Sequence, residues 1–176
     1  GDCVIAGKGH SVGIWTGNET GTPVIATNAE IQSAYTGICG PGDQGCVITD
    51  VLDVFKGAGL TLGGQVHKIV GYVAVDWTNK LEVQIATYLF GPLTFGINLP
   101  EEWTRSAVWK PTNSQIVGGH DVTPCDVGEE GIKVSSWGRI YLMTWEAVMS
   151  RQWIEECKIM LSPTWYNKDK VSPSGF

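Results

Sequence analysis

A chain of 176 residues, 43% hydrophobic and 17% charged, can fill one good core or two small lobes that share a cleft. A formal net charge of −6, with no basic run, excludes a nucleic-acid backbone as partner. No apolar run reaches the roughly 18 residues that a bilayer span needs.

Asp2 is a good N-cap type, and residues 3–15 are predicted to form a helix rich in small side chains. Cys3, Gly7, His10 and Ile14 fall on one face of it. Gly7 and Gly9 are poor helix formers, so another backbone is expected to pack closely there. Residues 17–23 read as a loop. A second helix is predicted over 27–35, with Thr27 or Asn28 as cap and Glu30 in its first turn. A third is predicted over 43–55, with Val47, Val51, Leu52 and Phe55 at core spacing. The glycines of 57–64 break the pattern, and 66–75 is rich in β-formers. A helix over 79–90 carries Leu81, Ile85, Ala86 and Leu89 on one side, and 93–99 reads as a strand. Beyond it come strands at 117–125, Gly131–Ser136 and Arg139–Thr144, a short helix at 145–150, a strand at Ile154–Leu161, and a polar tail after Trp165. Helices first and antiparallel strands later predict an α+β protein. We expect one domain over 1–176, a mainly helical half (1–100) against a small antiparallel sheet in a mainly β half (101–176).

Five cysteines leave at least one unpaired. Cys39 and Cys46 flank a Gly/Pro-rich turn (CGPGDQGC) and lack the Cys-x-x-Cys spacing of a zinc site. They form either a small-loop disulfide or two separate thiols, with the second preferred, so the redox compartment stays open. The three histidines, His10, His67 and His120, are too dispersed for a metal site, and no cofactor is expected. No stretch reads as a secretory leader, and a start at Gly1, so close to Cys3, is expected of a trimmed chain.

Two distant stretches carry chemistry. Cys3 opens the first predicted helix, and Gly118-Gly119-His120-Asp121-Val122 lies in a predicted strand, followed by Val134-Ser135-Ser136-Trp137-Gly138. A thiol at a helix N-terminus feels the positive end of the macrodipole, and a nearby imidazolium lowers its pKa further. The thiolate attacks a carbonyl and the histidine protonates the leaving group. Gly119 would let a substrate backbone approach the imidazole. The other candidates read as structural. His10 packs the helix and His67 sits in a strand. The eight tryptophans fill the core rather than stack on carbohydrate. The pairs Asp50/Asp53 and Glu155/Glu156 are expected on solvated faces.

The order Cys, then Gly-Gly-His120, then Ser135-Ser136-Trp137-Gly138 is similar to the GGHAV and NSWG motifs of papain-like cysteine peptidases. The chain also resembles papain-like proteins encoded by tailed bacteriophages and prophages. Four stretches carry that likeness: GDCVIAGKGHSVGIWTGN, the DQG…DVLDVF segment, FGINLP, and TWEAVMSRQWIEECKIMLSPTWYN. By this resemblance Cys3 is the nucleophile, His120 the general base and Trp137 the shield of the His-partner hydrogen bond. Ser135 stands where that family has the Asn that orients the histidine. The family's oxyanion Gln, a few residues before the Cys, would lie upstream of Gly1. One lost oxyanion donor costs about 10²–10³ in rate. Asp121 is no replacement orienter, because adjacent strand residues face opposite ways. The resemblance implies thiol-dependent amide hydrolysis of a peptide substrate. Two alternatives stand beside it: a weak or inactive papain-fold protein bound to other virion proteins, and a peptidoglycan-peptide amidase. No membrane or nucleic-acid partner is expected.

Overall fold

The computed structural model describes residues 1–165. The predicted polar tail, and Tyr166 and Asn167 of the last resembling stretch, lie outside the described residues. The first helix, α1 (Cys3–Thr20), runs past its predicted end into the expected loop. Its polar end satisfies its own carbonyls: the hydroxyls of Thr16 and Thr20 donate to Val12 O and Thr16 O at 2.7 and 2.8 Å. It stops at Gly21, which takes the left-handed conformation that suits a helix C-terminus.

Helix α2 (Asn28–Cys39) begins on a capping box. Glu30 N donates to the Thr27 hydroxyl at 3.2 Å, and Thr27 N donates to the Glu30 carboxylate at 2.8 Å. Cys39 and Cys46 are joined in a disulfide, with Cα atoms 5.4 Å apart, which corrects the preference for two thiols. Gly40, Gly42 and Gly45 all take positive φ, so the chain folds back within a few residues and returns Cys46 to the helix end. This loop also delays α3 (Ile48–Lys56) beyond its predicted start. Val51, Leu52 and Phe55 are buried as expected, while Val47, before the helix, is 63% exposed.

A two-stranded ribbon follows, β1 (Leu60–Leu62) and β2 (Gln65–His67), turning at Gly63-Gly64. Then come β3 (Gly71–Ala74) and α4 (Lys80–Phe90), which is capped by Asn79. Helix α4 buries Val83, Ala86 and Thr87 and exposes Leu81 and Ile85, so its packed face is rotated from the predicted one. The rest of the chain is β4 (Leu93–Pro100), a 3-10 turn (Glu101–Thr104), β5 (Val108–Trp109), β6 (Ile116–Val127), β7 (Gly131–Ser136), β8 (Arg139–Thr144), α5 (Trp145–Met149) and β9 (Ile154–Leu161).

Seven strands form one sheet in the order β3-β9-β4-β6-β7-β8-β5. Every pairing is antiparallel except the short edge pair β5–β8. One hydrophobic cluster lies on the sheet, with Phe95, Trp103, Trp109, Val122 and Met143; α4 and α5 pack on it. A second sits among α1, α2 and α3, around Ile5, Trp15, Leu52 and Phe55. The architecture is therefore α+β, and α1 meets the sheet along β6.

Candidate active site

Cys3 occupies the first turn of α1, half-buried and unbonded to another cysteine. Its neighbour across the interface is β6. The backbone N–H of Asp121 donates to Cys3 Sγ at 3.4 Å. The preceding residue, His120, lines the same two cavities as Cys3. One, of about 480 Å³, is walled by Gln44, Gly45 and Val47 on one side and by Gly96, Glu155 and Glu156 on the other. The second, of about 170 Å³, continues past Ser135, Ser136 and Trp137. The thiol and the imidazole thus sit where the helical part and the sheet meet, in an open cleft.

The imidazole is held on two sides. His120 Nε2 is 2.7 Å from the hydroxyl of Ser136, which is buried. The ring stacks on Trp137, centroids 4.5 Å apart and planes inclined by 13°. Ser136 pairs with Arg139, so Trp137 and Gly138 form a two-residue turn, with φ of 46° and 68°. Both central residues in the left-handed region is the pattern of the tightest hairpin turns. Trp137 meets Trp109 and Tyr141 edge-on, at 6.3 and 5.9 Å. Behind them Trp103 stacks on Trp109 at 5.1 Å. An aromatic column therefore runs from the sheet core to the imidazole.

The serine on His120 is not the one counted back from Trp137. Ser135 lies 3.3 Å from Nδ1 of His10 instead. Adjacent residues of β7 point to opposite faces, and the hairpin register turns Ser136 toward β6 and Ser135 toward α1. The orienting position that the motif placed at Ser135 is filled by Ser136. His10 has burial as its main perturbation, which lowers its pKa, and its role is packing at the helix–sheet seam. His67, on β2, lies 3.2 Å from the Leu62 carbonyl.

Electrostatics depart from the expected ion pair. Burial pushes the Cys3 thiol up, while the Asp121 N–H and the N-terminal ammonium act against it more weakly. Burial brings His120 down to about 4. Both shifts favour the neutral forms of the thiol and the imidazole, against the thiolate expected from the helix dipole and a nearby imidazolium. The other free thiols are pushed up too, Cys157 furthest because it is buried in the core.

Sequence reasoning passed over four groups. Glu155 and Glu156 keep the solvent access expected of them and also line the larger cavity. Gln44, from the disulfide loop, lines it too. Lys8, one residue beyond Gly7 on α1, is fully buried. Asp121, rightly set aside as an orienter of His120, has its carboxylate buried against Lys8. Among the described residues, no cluster of His, Cys, Asp and Glu could hold a metal ion.

No protein-family model and no curated protein matches the sequence. Solved structures do. Xylellain, a cysteine protease from Xylella fastidiosa, superposes with a TM-score of 0.76 at 14% identity, over 92% of this chain and 80% of its own. The Carica candamarcensis cysteine protease CMS1MS2, solved with E-64, gives 0.66 at 13% identity, over 92% and 89%. The proform of Amb a 11, a cysteine protease and ragweed pollen allergen, gives 0.65 at 13% identity, over 92% of this chain and 60% of that one. The fold of this chain is papain-like.

Proposed function

We propose that this protein is a thiol-dependent hydrolase of peptide or related amide bonds, with Cys3 as nucleophile and His120 as its base. The observation that supports it best is the shared cleft. Cys3 stands in a first helical turn, and His120 Nε2 is engaged by Ser136, leaving Nδ1 for the thiol. If Nε2–H donates to the Ser136 hydroxyl, Nδ1 carries the lone pair that accepts the thiol proton. With both groups neutral at rest, His120 takes that proton as sulfur attacks the carbonyl carbon, acting as a general base. The imidazolium so formed then protonates the departing amine. Water, deprotonated by the same imidazole, hydrolyses the thioester and releases Cys3. The backbone N–H of Cys3 lies in the orphaned first turn of α1, free to meet the developing oxyanion.

A second reading, a papain-fold virion component of low or no activity, draws on Ser136. A hydroxyl can rotate to donate or accept, so it holds the imidazole tautomer less firmly than an amide would. The resemblance to phage-encoded proteins belongs to this reading. The test is turnover of a mixed peptide library and of peptidoglycan peptides, with Cys3→Ala as blank and E-64 as competitor. We expect slow cleavage that vanishes in Cys3→Ala. No Cys3-dependent cleavage of any of these substrates would overturn the hydrolase and leave the scaffold.

A further inference from the structure

The charged groups nearest the cleft floor take no part in the proton transfers above. Lys8 and Asp121 are each only 1% exposed at the side chain. Lys8 Nζ donates to the Thr94 hydroxyl at 2.7 Å and to Asp121 Oδ2 at 3.2 Å. The Thr94 hydroxyl in turn donates to Asp121 Oδ1 at 2.5 Å. Three elements meet in this triad: α1, which carries Cys3; β4; and β6, which carries His120. Lys158, opposite Thr94 on β9, is bonded to Glu156 and acts on Asp121 only through space. The cation bonded to Asp121 is Lys8.

Such a pair is a poor device for stability alone. Desolvating two charges costs several kcal/mol per ion, and well-packed apolar residues of similar volume do as well or better. Here it also constrains the sequence around it. A Cβ on Gly7 would lie 2.4 Å from Asp121 Oδ2, so the glycine expected to admit a close neighbour admits this carboxylate. The Thr123 hydroxyl donates to Gly7 O at 3.1 Å beside it. The same Asp121 presents its backbone N–H to Cys3 Sγ, one residue from His120.

We propose that the buried Lys8–Thr94–Asp121 triad is a positioning device: it locks α1 to β6 and so sets Cys3 against His120 and the Asp121 N–H against the sulfur. This rests on the Cys3–His120 reading of the site. The geometry is specific. A slide of α1 along β6 breaks the Lys8 contacts, and a rotation of β6 about its axis moves the Asp121 N–H off the sulfur. Apolar side chains at the three positions would bury equally well but tolerate either displacement.

The experiment replaces the triad with an apolar set, Lys8→Met/Thr94→Val/Asp121→Leu, and compares it with Lys8→Gln/Asp121→Asn, which keeps hydrogen bonding without charge. Two readouts need no turnover: the rate of iodoacetamide alkylation of Cys3 against pH, and the ring nitrogen shifts of His120. We expect the apolar variant to melt at or above the parent temperature. Its Cys3 alkylation rate should nonetheless change at least tenfold, with displaced His120 shifts, and the Gln/Asn variant should recover most of both. If the apolar variant fails to fold, Thr94→Val alone removes the shared hydroxyl and should still change the alkylation rate at least threefold. A folded variant whose alkylation profile and His120 shifts superimpose on the parent's would overturn the proposal. Failure of the hydrolase reading shows separately, as absence of Cys3-dependent cleavage in the parent.

Discussion

The lowered pKa of His120 makes a quantitative demand on the pH dependence of stability. Burial lowers its pKa from 6.5 to about 4, so between those values the unfolded chain binds a proton that the folded one refuses. Stability therefore rises with pH across this window and is lost as pH falls from 6.5 through 4. At 1.36 kcal/mol per pKa unit the loss reaches about 3 kcal/mol, an upper figure because the ring is not wholly shielded from solvent. Urea unfolding at pH 7, 5.5 and 4, for the parent and for His120→Gln, isolates the effect; His10 and the carboxylates contribute to both chains alike. The parent should lose up to about 3 kcal/mol more than the variant between pH 7 and 4. Were His120 instead held as an imidazolium by a Cys3 thiolate, its pKa would be raised and the difference would reverse sign. Parallel curves would refute the burial argument, and a reversed difference would restore the ion pair.

Other outcomes follow from the same geometry. Ser136→Ala should lower kcat roughly five- to tenfold with KM unchanged, the worth of one hydrogen bond of about 1–1.4 kcal/mol, whereas Ser135→Ala should leave both within twofold in the same peptide assay. Gly7→Ala should destabilise by about 1–3 kcal/mol in chemical denaturation, because its Cβ meets the Asp121 carboxylate at 2.4 Å and outweighs the gain in helix propensity. Gly37→Ala, in α2 with nothing within 4 Å of the new Cβ, should stabilise by about 0.5–1 kcal/mol. Titration of the denatured, unreduced protein with a thiol reagent should find three free thiols, and Cys39→Ser/Cys46→Ser should cost about 2–3 kcal/mol by thermal melting.

The strands were legible because their patterns are local. From Ile132 to Ser136 buried and less buried residues alternate, as in a half-buried strand, and Thr27 with Glu30 announces a helix start. What failed depends on long-range contacts. Of the predicted α4 face Leu81, Ile85, Ala86 and Leu89, the sheet covers Ala86 but takes Val83 and Thr87 beside it and leaves Leu81 and Ile85 exposed, and periodicity cannot say which of two overlapping apolar stripes finds a partner. The site shows the same division. The placing of Cys3 and His120 on one cleft follows from motif order, yet the choice between Ser135 and Ser136 is a matter of hairpin register. The two-residue turn at Trp137-Gly138 decides that register. Lys8 was invisible because a lysine among small residues on a helix reads as a solvated side chain until its partner is known. Its signal was Gly7, which marks the approach of a neighbour without naming it.

Trp137 shows how the sheet core reaches the chemistry. A bulky residue at φ 46° carries a backbone cost of about 1–3 kcal/mol, and a glycine there would remove it. Against that stand three ring contacts, one stacked on His120 and two edge-on to Trp109 and Tyr141. At about 0.5–1.5 kcal/mol each beyond area burial, they offset the strain. The turn is therefore held by the aromatic column rather than by its own preference. Trp137 is 47% exposed and lines the smaller cavity while its ring covers the imidazole. Loss of the column at Trp109 would free the turn, and the Ser136 hydroxyl would leave His120 with it. The fixed ring plane of His120 and its hydrogen bond to Ser136 thus share one mechanical source, the register of β7 with β8.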